Sequence, residues 1–183
     1  MTWSDREREL LAVTLRLLQE HGYEGLTLDE VAAASRASKA TMYRRWPTKA
    51  ELVLAAVLEG MSQETVAPET GSLRTDLLAI GETISKQARS HATTMRAVLV
   101  EASRNPALNA VMQQQFAQRK KMINQVLQRA GDRGEIEVEA INEDLWDLLP
   151  GYLVFRAVVQ NRPATRRTIE TLIDKVILPS LSE

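Results

Sequence analysis

A chain of 183 residues and 20.5 kDa is long enough for one large domain, or for a small one joined to a medium one, with a sizeable core. Its 44% hydrophobic and 26% charged residues argue against disorder, and 4% aromatics with only eight Gly and six Pro favour an all-α chain over a β-sandwich. The lack of cysteine excludes disulfide scaffolds, thiolate metal sites and cysteine nucleophiles, and a net charge of −1 excludes a polycation, so any nucleic-acid binding must come from a local patch.

The start, MTWSDRERELL, is charged and lacks the apolar stretch of a secretory signal. No apolar run approaches the ~20 residues needed to span a bilayer. A cytoplasmic protein with no membrane association is expected. The first helix is expected from about Ser4 to His21, with Leu10, Val13, Thr14, Leu17 and Leu18 on one face, Ser4 or Asp5 as cap and Gly22 as stop. Thr27 and Glu30 have capping-box spacing for a second helix, about Leu28 to Ala34, burying Leu28, Val31 and Ala32. After the turn Ser35-Arg36-Ala37, Ser38 caps a third helix, Lys39 to about Arg45. It stops before Pro47, because the residue preceding a proline is pushed out of the α region. Thr48 caps a fourth helix that starts at Lys49 and carries Leu52, Ala55 and Ala56.

Two short helices joined by a tight turn read as a helix-turn-helix, whose second helix enters the DNA major groove. The charge map agrees. Residues 35–50 hold Arg36, Lys39, Arg44, Arg45 and Lys49 and no acid, whereas residues 1–34 sum to −4. The basic patch therefore coincides with the recognition helix. Met42 and Trp46 fall on its core side.

The stretch Gly22 to Leu52 resembles the N-terminal domain of the TetR family of transcriptional regulators. The family's pattern is a Gly after helix one, then T-x-x-x-[IV]-A, a small turn, S-x-x-[TS]-[LIM]-Y-x-x-[FW], and a Lys opening helix four. It is met at Gly22, Thr27, Val31, Ala32, Ser38, Thr41, Met42, Tyr43, Trp46 and Lys49. The chain departs from the pattern at Val13 and Thr14, where the family has paired small residues, and at Arg36, where it usually has a turn glycine. Either the turn is rearranged, or Arg36 accepts strain of roughly 1 kcal/mol or more and gains a phosphate contact.

The expected DNA contacts divide into two kinds. Thr27, Ser38, Tyr43 and Lys49 would hold phosphates and so position the protein; Tyr43 takes this role from the resemblance. Lys39, Thr41 and Arg44 would read bases, with Ala40 against a thymine methyl and Arg44 or Arg45 on a guanine edge.

Further along, the polar stretch after Met61 is read as a connection. Helical pattern resumes at Leu73 with Gly81 inside it at some cost. A short helix carries Met95, Val98 and Leu99, and another begins at Asn105-Pro106. Ala130-Gly131-Asp132 through Gly134 reads as the clearest loop. Glu135, Glu137 and Glu139 read as a solvated acidic run. The penultimate helix starts near Asn142 and should kink at Pro150. It is apolar on two sides, Leu145, Leu149, Tyr152 and Val159 on one and Trp146, Leu153, Val154 and Ala157 on the other, so a second copy is expected against one of them. The last helix begins near Pro163.

The division expected is a helix-turn-helix DNA-binding domain over residues 1–48 and a helical effector-binding and dimerisation domain over 49–183. The resemblance implies homodimers through the last two helices, a near-palindromic operator on double-stranded DNA, and release by a small molecule. Met95, Leu99, Met112, Phe116, Trp146 and Tyr152 are candidates to line its pocket, with His91 and Arg156 as polar handles. No cofactor, metal or enzymatic activity is expected: there is no phosphate-binding Gly-rich loop or nucleophile motif, and His21 and His91 are far apart. The alternative is an architectural or adaptor DNA-binding protein without an effector.

Overall fold

The computed structural model describes residues 3–62, 67–137 and 145–181, which form helices and no strands. In chain order they are α1 (Asp5–Gly25), α2 (Leu28–Ala34), α3 (Lys39–Arg45), α4 (Lys49–Ser62), α5 (Leu73–Ser90), α6 (Ala92–Ala102), α7 (Pro106–Asp132), α8 (Leu145–Val154) and α9 (Arg166–Leu172). A π-helical stretch, Phe155–Val159, continues α8; a second, Ile173–Ile177, and a last turn, Leu178–Ser180, continue α9. By packing, residues 1–65 with 93–112 make one compact unit and 66–92 with 113–183 another.

In the first unit, local signals set the helix ends. Ser4 and Glu7 form a complete capping box at α1. Gly22 takes φ 69 and breaks the helix, after which one more turn runs to Gly25. Thr27 Oγ1 accepts the Glu30 N–H at 3.2 Å, but the Glu30 carboxylate turns to His21, 3.2 Å away, so the box expected at α2 is only half formed. Thr48 and Glu51 form the reciprocal pair at α4, at 3.2 and 3.1 Å. The core gathers Leu11, Leu26, Val31, Leu52 and Val53 from α1, α2, α4 and the α1–α2 connection, with Val98, Ala102 and Leu108 from α6 and α7. Division at residue 48 would put α4 in the second domain; in packing α4 belongs to this first core. Thr14 is fully buried and returns its hydroxyl to the Leu10 carbonyl at 2.9 Å, which makes its polar atom compatible with that core.

In the second unit α5 lies along α8 and α9. Gly81 lets α9 come close, because a Cβ there would stand 2.6 Å from Ile169 Cγ2. That approach is the reason for a glycine that looked only costly. Arg74 and Asp174 pair bidentately at 2.7 and 2.8 Å, Arg166 reaches Glu82 at 2.8 Å, and Ser85 bonds the Ala164 carbonyl at 2.9 Å. These contacts set α5 antiparallel to α9.

Two sequence expectations need correction here. The helix does not end at Ala130: α7 runs to Asp132 with Ala130 fully buried, because a single Gly131 is tolerated when its neighbours are packed. Glu135 is exposed, as expected of the acidic run, and its carboxylate also accepts the Leu73 N–H at 2.6 Å at the start of α5 and pairs with Arg133; these bonds hold its pKa below the usual carboxylate range. The last helix starts at Arg166 rather than Pro163, because Thr165 is its cap. Pro150 is accommodated within α8. Asn142 and Glu139 lie outside the described residues.

Candidate nucleic-acid interface

Helices α2 and α3 are joined by a turn whose geometry is explicit. Ala37 N–H reaches the Ala32 carbonyl at 3.0 Å and Arg36 N–H reaches that of Ala33 at 3.3 Å. These are the paired bonds of a Schellman helix end, with Arg36 in the position usually held by glycine. Arg36 has φ 51, so the turn is the strained alternative and not a rearranged one. A side chain in this region costs about 1–2 kcal/mol. The turn is braced from behind: the Arg6 guanidinium of α1 donates to the carbonyls of Ser35 and Arg36 at 3.1 and 2.8 Å and also pairs with Glu9.

Helix α3 is held by its inner face. Met42 and Trp46 are buried, and Ser38 caps the helix by accepting the Thr41 N–H at 3.2 Å. The seven residues of α3 thus turn Lys39, Ala40, Thr41, Tyr43, Arg44 and Arg45 to solvent together. Tyr43 is 47% exposed, so its ring and hydroxyl are open to an external partner. Arg36, Ser38 and Thr27 are exposed beside it.

These outward groups are not equivalent. Lys39 Nζ pairs with Asp29 at 2.7 Å. Arg45 Nε pairs with Glu7 at 2.9 Å and its guanidinium sits 5.0 Å from the centre of the Trp3 ring, which itself lies 5.8 Å from Trp46. Glu7 is held below the ordinary carboxylate range first by the Ser4 N–H and hydroxyl, then by Arg45. Lys49 donates to the Glu24 carbonyl at 3.3 Å and lies 4.7 Å from the Tyr23 ring centre. Burial, helped by Glu101 and Glu24, raises the Tyr23 pKa. Arg44 and Arg36 make no side-chain hydrogen bond or ion pair among the described residues. Sequence reasoning missed Trp3, Arg6, Glu7 and Asp29. Only the S-x-x-E spacing at Ser4 hinted at any of them; their partners lie across turns, where no periodicity points.

The six candidate pocket residues are divided between the two units. Met95, Leu99 and Met112 belong to the first unit, where Met95 is half-buried, Leu99 is exposed and Met112 packs against the core. Phe116 and Tyr152 belong to the second and are exposed, and the Trp146 side chain lies outside the described residues. Arg156 donates to the Tyr152 hydroxyl at 3.3 Å. His91 caps the end of α5. The second unit does hold a cavity of about 20 Å³, lined by Leu77, Ile80, Ile123, Leu127, Leu149, Ile177 and Leu181. That is room for about one water molecule and no more.

On α8 the sides sort differently from the expected grouping. Leu149, Leu153, Ala157 and Val158 face inward, while Leu148, Tyr152, Phe155 and Val159 form an exposed apolar stripe, with Val176 exposed on the last helix. Among the described residues, no helix is long and apolar enough to cross a membrane and no acid or histidine cluster could hold a metal.

A cationic helix held out to solvent by a helix-turn-helix defines a DNA-binding transcriptional regulator. Residues 10–56 match the family described as "Bacterial regulatory proteins, tetR family", and residues 67–176 match "Tetracyclin repressor-like, C-terminal domain". The chain is 64% identical over 181 residues to the HTH-type transcriptional regulator Rv1556 of Mycobacterium tuberculosis, covering 98% of this chain and 90% of that one. It is 33% identical to a DNA-binding transcriptional repressor TetR of Mycobacteroides abscessus, covering 94% and 92%. The solved structure of the TetR family transcription regulator SCO0332 shares the fold at a TM-score of 0.84 and 24% identity, covering 98% and 100%. The chain belongs to the TetR family of transcriptional regulators.

Proposed function

We propose that this protein is a repressor that binds a near-palindromic operator as a homodimer and is released by a small molecule. The observation that carries the reading is the exposed row on α3, Lys39, Thr41, Tyr43 and Arg44, over a buried Met42 and Trp46. Arg44 is the base reader, because it makes no side-chain bond among the described residues, whereas Arg45 is already held by Glu7 and Trp3. Ala40 meets a thymine methyl beside it. Lys39 leaves Asp29 for a base or phosphate; an exposed pair of that kind is worth only about 0–1 kcal/mol, so DNA can displace it. Thr27, Ser38, Tyr43 and Lys49 position the helix on phosphates.

The stripe Leu148, Tyr152, Phe155 and Val159, with Val176, supports pairing of the last two helices across a two-fold axis. Pairing delivers two recognition helices ~34–36 Å apart, one turn of the duplex. The effector is an apolar or amphipathic molecule of the cytoplasm. A 20 Å³ cavity cannot admit it without separating α5, α7, α8 and α9, and a ligand that binds the opened state better than the closed one shifts the protein towards it.

The test is a gel shift against duplexes selected from a random pool. Arg44→Ala should lose about 1–3 kcal/mol of discrimination, roughly fivefold to a hundredfold in selectivity. Unchanged operator affinity and selectivity would refute the assignment.

A further inference from the structure

We infer that Arg36 is a DNA-backbone anchor, gripping a phosphodiester from the helix-turn-helix turn. The inference rests on the DNA-binding reading above and adds a contact at a position for which the family pattern calls for glycine. Three observations carry it. The backbone at Arg36 is left-handed, φ 51, so a glycine would complete the same Schellman turn without strain. The guanidinium gives the fold nothing in return: it is exposed and makes no hydrogen bond or ion pair among the described residues. The turn's carbonyls at Ser35 and Arg36 are meanwhile held by Arg6 at 3.1 and 2.8 Å, so the turn is braced without help from the Arg36 side chain. Arg36 is left as a charged fork at one end of the exposed row that begins with Ser38 and Lys39. Planar donors of this kind match the oxygens of a phosphodiester. A contact to phosphate carries no sequence information, so it raises affinity on every duplex alike.

The experiment uses the full chain and fluorescence anisotropy on two duplexes, one selected by the wild-type protein from a random-sequence pool and one of random sequence. The variants are Arg36→Gly, which relieves the turn; Arg36→Asn, which tolerates the left-handed region without charge; and Arg36→Lys, which keeps the charge. Arg36→Gly and Arg36→Asn should bind both duplexes about fivefold more weakly per half-site at physiological salt. Their dependence of log affinity on log salt should be shallower by about one per half-site. Arg36→Lys should retain the wild-type slope. The melting temperature of Arg36→Gly should equal or exceed that of the wild type, so stability and affinity move apart. Unchanged affinity and slope in Arg36→Gly and Arg36→Asn would overturn the inference. So would an affinity loss with an unchanged slope or a lowered melting temperature, which marks a structural role. If the wild type binds neither duplex at low salt, the DNA-binding reading falls as well.

Discussion

The two units spend their side chains in opposite ways. In the first, charge is organised on the surface: Lys39 on Asp29, Arg45 on Glu7, Arg6 on the turn carbonyls, each bond holding part of the helix-turn-helix in place. In the second, ionic bonds such as Arg74 to Asp174 tie helix to helix, while apolar residues from Leu148 to Val159 stand in the open. The first unit thus presents a surface suited to a polyanion, and the second a surface suited to another apolar face. The contrast separates the two kinds of substitution that should abolish function.

The largest effect should come from the cores, where the units ought to behave alike. Leu52→Ala in the first and Leu153→Ala in the second each remove a fully buried side chain. Each should cost about 2–5 kcal/mol. Differential scanning calorimetry measures this, and a loss under about 1 kcal/mol for either would mean that its core collapses around the gap. The next effect should separate the units. Phe155→Glu puts a charge into the exposed stripe without touching the core, so the melting temperature of the monomer should change little. Dimerisation should weaken by about 2 kcal/mol or more, roughly thirtyfold or beyond. Light scattering across a dilution series reads this, and an unchanged dimer would move the interface off α8.

How much was legible follows the same contrast. The ends of α2 and α3 could be read because each is set within a few residues, by Thr27, Ser38 and Pro47. The outward set on α3 followed from seven residues and one buried pair, Met42 and Trp46. The contacts that sort those outward residues could not be read, because Glu7 is 38 positions from Arg45 and Arg6 is 30 from Arg36. In the second unit nearly every informative contact is remote. Glu135 is 62 positions from Leu73 and Arg74 is 100 from Asp174. Gly81 looked like a defect because the reason for it, Ile169, belongs to a different helix. The penultimate helix was sorted wrongly for a related reason. Leu148 and Leu149 are equally apolar, and only the positions of α5, α7 and the last helix decide which of them is inside.

The smallest effect concerns the clamp on Arg45 and sharpens the first half of the contrast. The Ser4 N–H and hydroxyl, and then Arg45, favour the ionised form of Glu7, so its pKa is lower folded than unfolded. Such a group stabilises the fold above its unfolded pKa, and the contribution is lost as pH falls through the depressed folded value. Glu7 is half-buried and its partner Arg45 is exposed, so solvent screens the pair and its part is at most about 1 kcal/mol. Glu7→Gln should therefore lower stability slightly at neutral pH and leave it unchanged at strongly acidic pH, where the wild-type carboxylate is also neutral. Urea melts of the two proteins at neutral and acidic pH check this, the expected sign being convergence on acidification. A gap that widens towards acid would mean that Glu7 is not what holds Arg45. On DNA the same substitution should act the other way, since it removes a negative charge beside the recognition helix and frees Arg45 for a phosphate. A small gain in affinity with a steeper salt slope is expected for Glu7→Gln, and a loss would show that the clamp orients α3 more than it restrains Arg45.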